Sequence, residues 1–217
     1  LCQAAGIIFG SLSNSTKLEN VSSTRNGNGL ILTGLPPEGS STHALIDNSR
    51  FRQNIGAGVL FAQAVGVEFT SCVIESNTAV GIKVKKATTS DDFYAGERAF
   101  VSQIYFDRCG MENNGQLLEL DGTGLGLSFI EFAKCNVVGK TTDKLNPVAD
   151  IYTKSVRGLI FDYCTMLKVG YRADTGTFAV KINAFNTLDN SYPTVFGESS
   201  ANVAINKLLD SGDMFSD

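Results

Sequence analysis

The sequence predicts a parallel β-helix, an all-β solenoid in which each coil of the chain stacks on the coil before it. An internal repeat, a short-strand hydrophobic pattern and a column of asparagines predict it. In six places an aliphatic or aromatic residue is followed three positions later by a residue suited to an interior. These pairs are Leu18/Val21, Ile46/Ser49, Phe69/Cys72, Phe106/Cys109, Phe132/Cys135 and Phe161/Cys164.

The clearest repeat unit spans residues 67–84, and the unit before it, residues 44–61, has the same pattern 23 residues earlier. Period-2 apolar runs separated by Asn, Gly and Ser indicate short strands joined by turns rather than helices. Three such strands per unit make one coil of a solenoid. Equivalent residues of successive coils should then stack at roughly 4.8 Å.

The asparagine column follows the small position by five residues, at Asn26, Asn54, Asn77 and Asn114. We expect these amides inside a turn, where they satisfy backbone groups and bond to one another. Asn also tolerates left-handed backbone dihedrals. A polar binding track is the alternative.

Domain organisation follows from where the repeat fades. Residues 1–183 are predicted to form the parallel β-helix, with about six to seven coils, and residues 184–217 a C-terminal non-repeat tract that acts as a cap or an intersubunit segment. The repeat already runs at Gly6, which leaves no room for a capping helix. We therefore expect a piece of a longer protein or a partner over that end.

Composition excludes several function classes. A net charge of −4 without a basic run argues against nucleic acid, and no apolar stretch is long enough to span a membrane. The first thirty residues do not resemble a signal peptide. A single histidine, His43, gives no support for a nucleophilic triad or a zinc site, and we expect no metal and no cofactor.

Four of the five cysteines occupy the inward small position. We expect them to be free buried thiols, which favours folding in a reducing cytoplasm.

Candidate site residues come from the first strand of each coil, beside insertions at residues 35–42 and 87–99. Its outward columns are Leu45, Glu68, Tyr105, Glu131 and Ile160, then Asp47, Thr70, Asp107, Ala133 and Asp162. Two rungs separate Glu68 from Glu131, roughly 9.6 Å at the backbone, near the carboxylate spacing of inverting glycosidases. The predicted catalytic residues are Glu68, Asp107 and Glu131, and the predicted substrate-binding residues are Tyr105, Asp47, Arg108 and Tyr94.

Two alternatives stay open for these acids. Acidic side chains are expected on any solvated strand face, where they carry no chemistry. Glu75 and Glu112 form a second candidate pair on adjacent rungs, roughly 4.8 Å apart, which is close to the retaining distance.

Residues 67–84 resemble a coil of the pectin-lyase-like right-handed parallel β-helix superfamily, and the resemblance covers residues 6–183. It implies a right-handed, single-stranded helix. The thiol column, the absent signal peptide and the C-terminal tract are most similar to a fragment of a bacteriophage tailspike. The Asn-Thr-Asp and Gly-Asp-Asp segments that mark polygalacturonases do not occur.

The tailspike resemblance implies a homotrimer in the phage tail of the virion, folded in the host cytoplasm. It implies binding of bacterial surface polysaccharide, O-antigen or capsule, with cleavage by an endoglycosidase or lyase mechanism using Asp and Glu. A non-catalytic adhesin or structural segment is the first alternative. A secreted polysaccharide lyase is the second.

Overall fold

All regular secondary structure in the described part of the chain is β-strand. The computed structural model describes residues 5–10, 15–33, 41–86, 100–139, 150–185, 194–196 and 201–208. The strands are β1 (Ala5–Phe9), β2 (Lys17–Glu19), β3 (Ser22–Thr24), β4 (Asn28–Leu32), β5 (Ser41–Asp47), β6 (Arg50–Arg52), β7 (Ala57–Phe61), β8 (Ala64–Thr70), β9 (Val73–Glu75), β10 (Val80–Val84), β11 (Phe100–Asp107), β12 (Gly110–Glu112), β13 (Gln116–Asp121), β14 (Gly126–Ala133), β15 (Asn136–Val138), β16 (Ile151–Lys154), β17 (Val156–Leu167), β18 (Tyr171–Ala173), β19 (Phe178–Phe185), β20 (Thr194–Phe196) and β21 (Ala201–Leu208).

The strands stack into three parallel ladders, which confirms the predicted parallel β-helix. Ladder A contains β1, β4, β7, β10, β13, β16, β18 and β20. Ladder B contains β2, β5, β8, β11, β14, β17, β19 and β21, and ladder C contains β3, β6, β9, β12, β15 and the end of β17. A coil runs through B, then C, then A, and the long strand β17 spans B and C without a break.

Phenylalanines form a continuous stack through the interior behind ladder B. The ring centroids of Phe69 and Phe106 lie 4.6 Å apart, as do those of Phe106 and Phe132, and Phe161 follows at 4.7 Å. These spacings equal the distance between paired strands, so each ring lies over the ring of the coil below. The repeat seen in the sequence is therefore the stacking unit of the core.

The asparagines form the expected internal ladder at the corner between C and A. Asn54 Oδ1 accepts from the backbone N–H of Asn26 at 3.0 Å, and Asn77 Oδ1 accepts from that of Asn54 at 3.0 Å. The Nδ2 group of Asn77 donates to Asn114 Oδ1 at 2.8 Å and to the Phe51 carbonyl at 3.0 Å. The amides of Asn54, Asn77 and Asn114 each satisfy a backbone donor and a backbone acceptor that the bend exposes.

At this corner, the residue before each asparagine has a left-handed backbone conformation. Arg25, Gln53, Ser76 and Asn113 have positive φ, between 55° and 61°. None of the four ladder asparagines has a positive φ, so hydrogen bonding rather than dihedral tolerance explains their position.

Cysteines form a second internal column at the corner between B and C. Cys72, Cys109, Cys135 and Cys164 are free and buried. Each thiol donates to the carbonyl of a phenylalanine or isoleucine in the preceding coil, at 3.2–3.5 Å.

Parallel pairing does not stop at the expected boundary after Asn183. Strand β20 pairs with β18 in ladder A, and β21 pairs with β19 in ladder B, where Val180 aligns with Val203 and Ile182 with Ile205. The alternation of apolar residues in 201–208 is in register with that of β19, which is why the strand continues the ladder. Whether the tract also caps the helix or joins subunits stays a prediction.

The described residues contain no helix long and apolar enough to cross a membrane.

Candidate functional site

The outward face of ladder B carries the predicted site residues in the predicted register. Tyr105 pairs with Glu68 on one side and with Glu131 on the other, and Ile160 follows Glu131. In the next column Thr70 pairs with Asp47 and with Asp107, and Ala133 lies between Asp107 and Asp162. We call this surface the B face, defined by the outward residues of β5, β8, β11, β14 and β17.

The catalytic candidates differ in how their carboxylates are held. Asp107 Oδ2 accepts from Arg108 Nε at 2.8 Å, and Glu68 Oε1 accepts from Thr70 Oγ1 at 3.3 Å. The Glu131 carboxylate is half-buried and has no hydrogen-bond or ion-pair partner within the described ranges. Two rungs separate Glu68 from Glu131, roughly 9.6 Å at the backbone.

An exposed aromatic ring lies between the two glutamates. Tyr105 occupies the rung between Glu68 and Glu131 and is 44% exposed. An amphipathic ring flanked by carboxylates offers both a flat apolar surface and hydrogen-bond acceptors. The B face therefore brings Glu68, Tyr105 and Glu131 together in one column.

The other predicted substrate contacts are less concentrated. Arg108 directly follows β11, and its guanidinium bonds to Asp107. Asp47 lies two rungs from Asp107. Tyr94 is outside the described residues, as are most of the insertions expected to wall the face, residues 34–40 and 87–99.

The alternative pair on ladder C is in register as well. Glu75 aligns with Glu112, and both line a shallow pocket of about 390 Å³ whose floor includes Gly110. Glu75 is close to Arg52, with 3.7 Å between Oε1 and Nη1. One member of this pair thus already has a cation beside it.

A larger groove lies at the start of the ladder B strands, where the chain turns in from ladder A. Its volume is about 530 Å³, and its lining includes Phe100, Leu125, Ser128, Arg157 and Phe178. A neighbouring depression of about 320 Å³ shares Ser128, Arg157 and Phe178 and adds Phe129. Sequence reasoning missed this groove, because its residues come from four strands and match no common motif.

A polar cluster on ladder A was also missed. Asp174 accepts from Tyr152 Oη at 3.1 Å and from Arg172 Nε at 3.0 Å, and the Arg172 guanidinium lies 5.8 Å from the centre of the Tyr152 ring. The hydrogen bond from Arg172 lowers the pKa of Asp174, while partial burial and then the bond to Asp174 raise the pKa of Tyr152 to about 12. The three groups satisfy one another, which favours a structural role.

Within the described ranges, no three His, Cys, Asp or Glu side chains group together.

Comparison with known proteins agrees with the fold. A family model described as "Right handed beta helix region" matches residues 1–94. No curated protein and no solved structure gives a match. The three parallel ladders and this match agree on a right-handed parallel β-helix fold.

Proposed function

We propose that this chain binds a bacterial surface polysaccharide, O-antigen or capsule, along the B face and cleaves it as part of a homotrimeric phage tailspike. The observation that carries the proposal is the column Glu68, Tyr105 and Glu131, with an exposed ring between two carboxylates. Right-handed β-helix domains are compatible with binding or degrading polysaccharides.

Shape supports a long polymer rather than a small molecule. The columns of ladder B run parallel to the solenoid axis, so successive rungs offer equivalent positions at roughly 4.8 Å intervals. Acids, hydroxyls and aromatic rings recur along them. A glycan strand lying along the axis would meet several rungs at once.

Carboxylate spacing supports hydrolysis by two acidic groups. The backbone positions of Glu68 and Glu131, roughly 9.6 Å apart, are near the carboxylate separation of inverting enzymes, and a sugar unit would pack over the Tyr105 ring that lies between them. Glu131, which has no partner within the described ranges, is the candidate for proton transfer to the leaving oxygen, and Glu68 for activating water. Asp107, the last residue of β11, lies two residues after Tyr105 in the neighbouring outward column and is the third catalytic candidate.

The proposal places the trimer in the phage tail of the virion, after folding in the host cytoplasm. Four free buried thiols agree with folding in a reducing compartment. A secreted polysaccharide lyase would share the B face, but it would be monomeric and release unsaturated products.

Depolymerisation assays test the proposal. The chain is incubated with a panel of purified capsules and O-antigens while reducing ends, unsaturated uronate absorbance and product size are followed. We expect reducing ends without unsaturated products, and a loss of about 100-fold or more in Glu68→Gln and Glu131→Gln. Glu112→Gln is the matched control on ladder C.

Each outcome assigns the site. If Glu112→Gln lost about 100-fold or more of the activity and Glu131→Gln lost none, the catalytic site would lie on ladder C. Unsaturated products would indicate a lyase.

A non-catalytic adhesin is the second candidate, favoured by the solvent exposure of the Glu68 side chain and by the Arg108 ion pair of Asp107. Binding of a polysaccharide from the panel, without cleavage of any capsule or O-antigen, would support the adhesin.

A further inference from the structure

The groove at the start of the ladder B strands is bordered by exposed aromatic side chains. Phe100 and Phe178 line the groove, and Phe129 lines the depression beside it. All three rings are exposed, that of Phe129 by 64%. Aromatic residues that lie exposed together are typical of surfaces that contact another protein chain. The groove is therefore suited to a polypeptide partner.

Two cations accompany these rings. Arg157 lines both the groove and the depression, and its guanidinium lies 5.3 Å from the centre of the Phe178 ring. Lys181 lies three residues after Phe178 on β19, and its side chain is exposed. Neither cation has a carboxylate partner among the residues that the structure describes, whereas Arg52 and Arg172 each have an acidic neighbour. A polypeptide that fits this surface should therefore carry acidic side chains.

Phe129 places its ring at a backbone position that does not favour a large side chain. Its φ is 55°, and the equivalent residues of the neighbouring strands, Gln103 and Gly158, also have positive φ. The left-handed bend is therefore a feature of the fold, and a glycine would fit it with less strain. Contact between the ring and a partner would explain why a phenylalanine occupies the position.

Glycines leave room in the groove for a side chain of the partner. Gly126 and Gly176 line it, and a Cβ on Gly176 would lie 3.1 Å from Ser155 Oγ. The groove holds about 530 Å³ and the depression about 320 Å³, within the usual size of binding pockets. Leu125 and Leu127 add apolar surface to the lining. One aromatic side chain can therefore be inserted here.

A segment of matching chemistry occurs in this chain directly after β21. Residues 209–217 have three aspartates and no Lys or Arg, and Met214 and Phe215 lie between the second aspartate and the third. The conformation of this segment lies outside the described residues. Its acidic side chains complement the two unpaired cations, and its aromatic ring complements the exposed rings of the groove. The segment therefore has the chemistry that the groove requires.

The segment is too short to bring Phe215 back to the groove of its own chain. Ala201, seven residues before Leu208 in β21, aligns with Phe178, so the groove lies roughly 23 Å back along ladder B. A reversal directly after Leu208 uses at least two residues. The five residues that end at Phe215 then span at most about 18 Å. A second copy of the chain has no such limit.

We infer that the groove binds residues 209–217 of a second copy of this chain. Phe215 of the second copy packs between Phe129 and Phe178, and aspartates of its segment pair with Arg157 and Lys181. The contact is heterologous, because one copy supplies the segment and the other supplies the groove. It gives the proposed homotrimer a contact between subunits, so the inference rests on that part of the proposed function.

A fluorescent peptide with the sequence of residues 209–217 tests the docking directly. The acceptor is the full chain with Phe215→Ser, so that its own segments do not compete, and fluorescence anisotropy measures binding. We expect the peptide to bind, and the same peptide carrying Phe215→Ser to bind about tenfold more weakly. Added salt should weaken binding, because ion pairs contribute to it. Equal binding of the two peptides, or of neither, would overturn the inference.

Variants of the acceptor locate the peptide on the groove. Arg157→Glu should lower its affinity about tenfold or more, because an attraction becomes a repulsion. Arg157 is exposed, so the replacement should not disturb the fold. Lys134→Gln is the matched control, since it removes an exposed cation that follows β14 and does not line the groove, and it should bind the peptide normally. Normal binding by Arg157→Glu would overturn the inference.

Association of the full chain tests whether the segment crosses between copies. In sedimentation velocity the wild type should assemble as its concentration rises, and Arg157→Glu and Phe215→Ser should each weaken assembly about tenfold or more. Ser216→Ala is the control within the segment and should assemble like the wild type. A mixture of Arg157→Glu and Phe215→Ser should regain pairing, because the first still has a segment and the second still has a groove. No pairing in the mixture, or equal assembly of all variants, would overturn the inference.

Cleavage assays keep this inference apart from the proposed polysaccharide cleavage. Glu131→Gln, which tests that cleavage, should assemble like the wild type. Assembly through the groove without cleavage of any polysaccharide would support the inference while the proposed cleavage fails. Cleavage together with wild-type assembly of Phe215→Ser would overturn the inference and leave the proposed cleavage intact.

Discussion

In the coils that contain Cys72 and Cys109, two corners face the same problem and solve it with different side chains. At the corner between B and C, a residue of positive φ such as Ser71 precedes Cys72. At the corner between C and A, Ser76 with positive φ precedes Asn77. Both bends turn backbone groups into the interior, where water cannot reach them. Cysteine bonds these backbone groups at the corner between B and C, and asparagine bonds them at the corner between C and A.

The difference between the corners lies in what each side chain can bond. A thiol is a weak donor, and Cys109 donates to the Phe69 carbonyl at 3.5 Å. An amide is donor and acceptor, so Asn77 serves the Asn54 N–H and the Phe51 carbonyl at 3.0 Å each. The asparagine corner should therefore contribute more to stability, and the cysteine corner should depend mainly on packing.

The largest effect is expected in thiol labelling. Cys72, Cys109, Cys135 and Cys164 are all buried, so a labelling reagent cannot reach their thiols in the folded protein. Labelling of the native protein should be about 1000-fold or more slower than in denaturant, since it needs opening of the core. Rapid native modification of all four would place the column at the surface.

Asn77→Ala should destabilise the protein by about 3 kcal/mol, because the Asn54 N–H and the Phe51 carbonyl lose their partner in a dry interior. Denaturant unfolding measures the change. Asn136→Ala, on the exposed side of β15, is the control and should be close to neutral. A neutral Asn77→Ala would mean that the two corners do not differ.

Cys109→Ser should cost about 1 kcal/mol or less, because the hydroxyl replaces a weak donor. Ser49 already occupies this column, and its hydroxyl donates to the Asp47 carbonyl at 2.8 Å. Urea unfolding of both variants compares the corners directly. A loss equal to that of Asn77→Ala would show that the thiol column is as important as the amide ladder.

The smallest effect on stability is expected at the positive-φ residue that precedes the cysteine or the asparagine, a feature that both corners share. Ser71→Gly and Ser76→Gly should each stabilise by about 0.5 kcal/mol, because relief of left-handed strain slightly exceeds the entropy cost of glycine. Both residues are exposed, so no contact changes with them. Thermal unfolding of the pair checks that the two gains agree, and a loss at one corner alone would show a role for that serine side chain.

Much of the fold was predictable because the same type of residue recurs at the same position of successive coils. The Phe69–Phe161 stack, the asparagine ladder and the cysteine column are all visible as spacings in the sequence, and so is the pairing of Glu68, Tyr105 and Glu131. The positions of the left-handed residues were not predictable. Arg25, Gln53, Arg108 and Phe129 are not residues that usually signal such a conformation.

The sequence by itself determined the ladders and the columns, since period-2 alternation and the repeat of small and amide residues admit one stacking register. Only the tertiary structure decided which outward residues meet across coils of unequal length. Arg157, Phe129 and Phe178 come from three strands whose separation depends on the loops between them, so no spacing in the sequence marks their groove. The continuation of pairing into β21 was decided in the same way, by an edge of ladder B that the next strand could join.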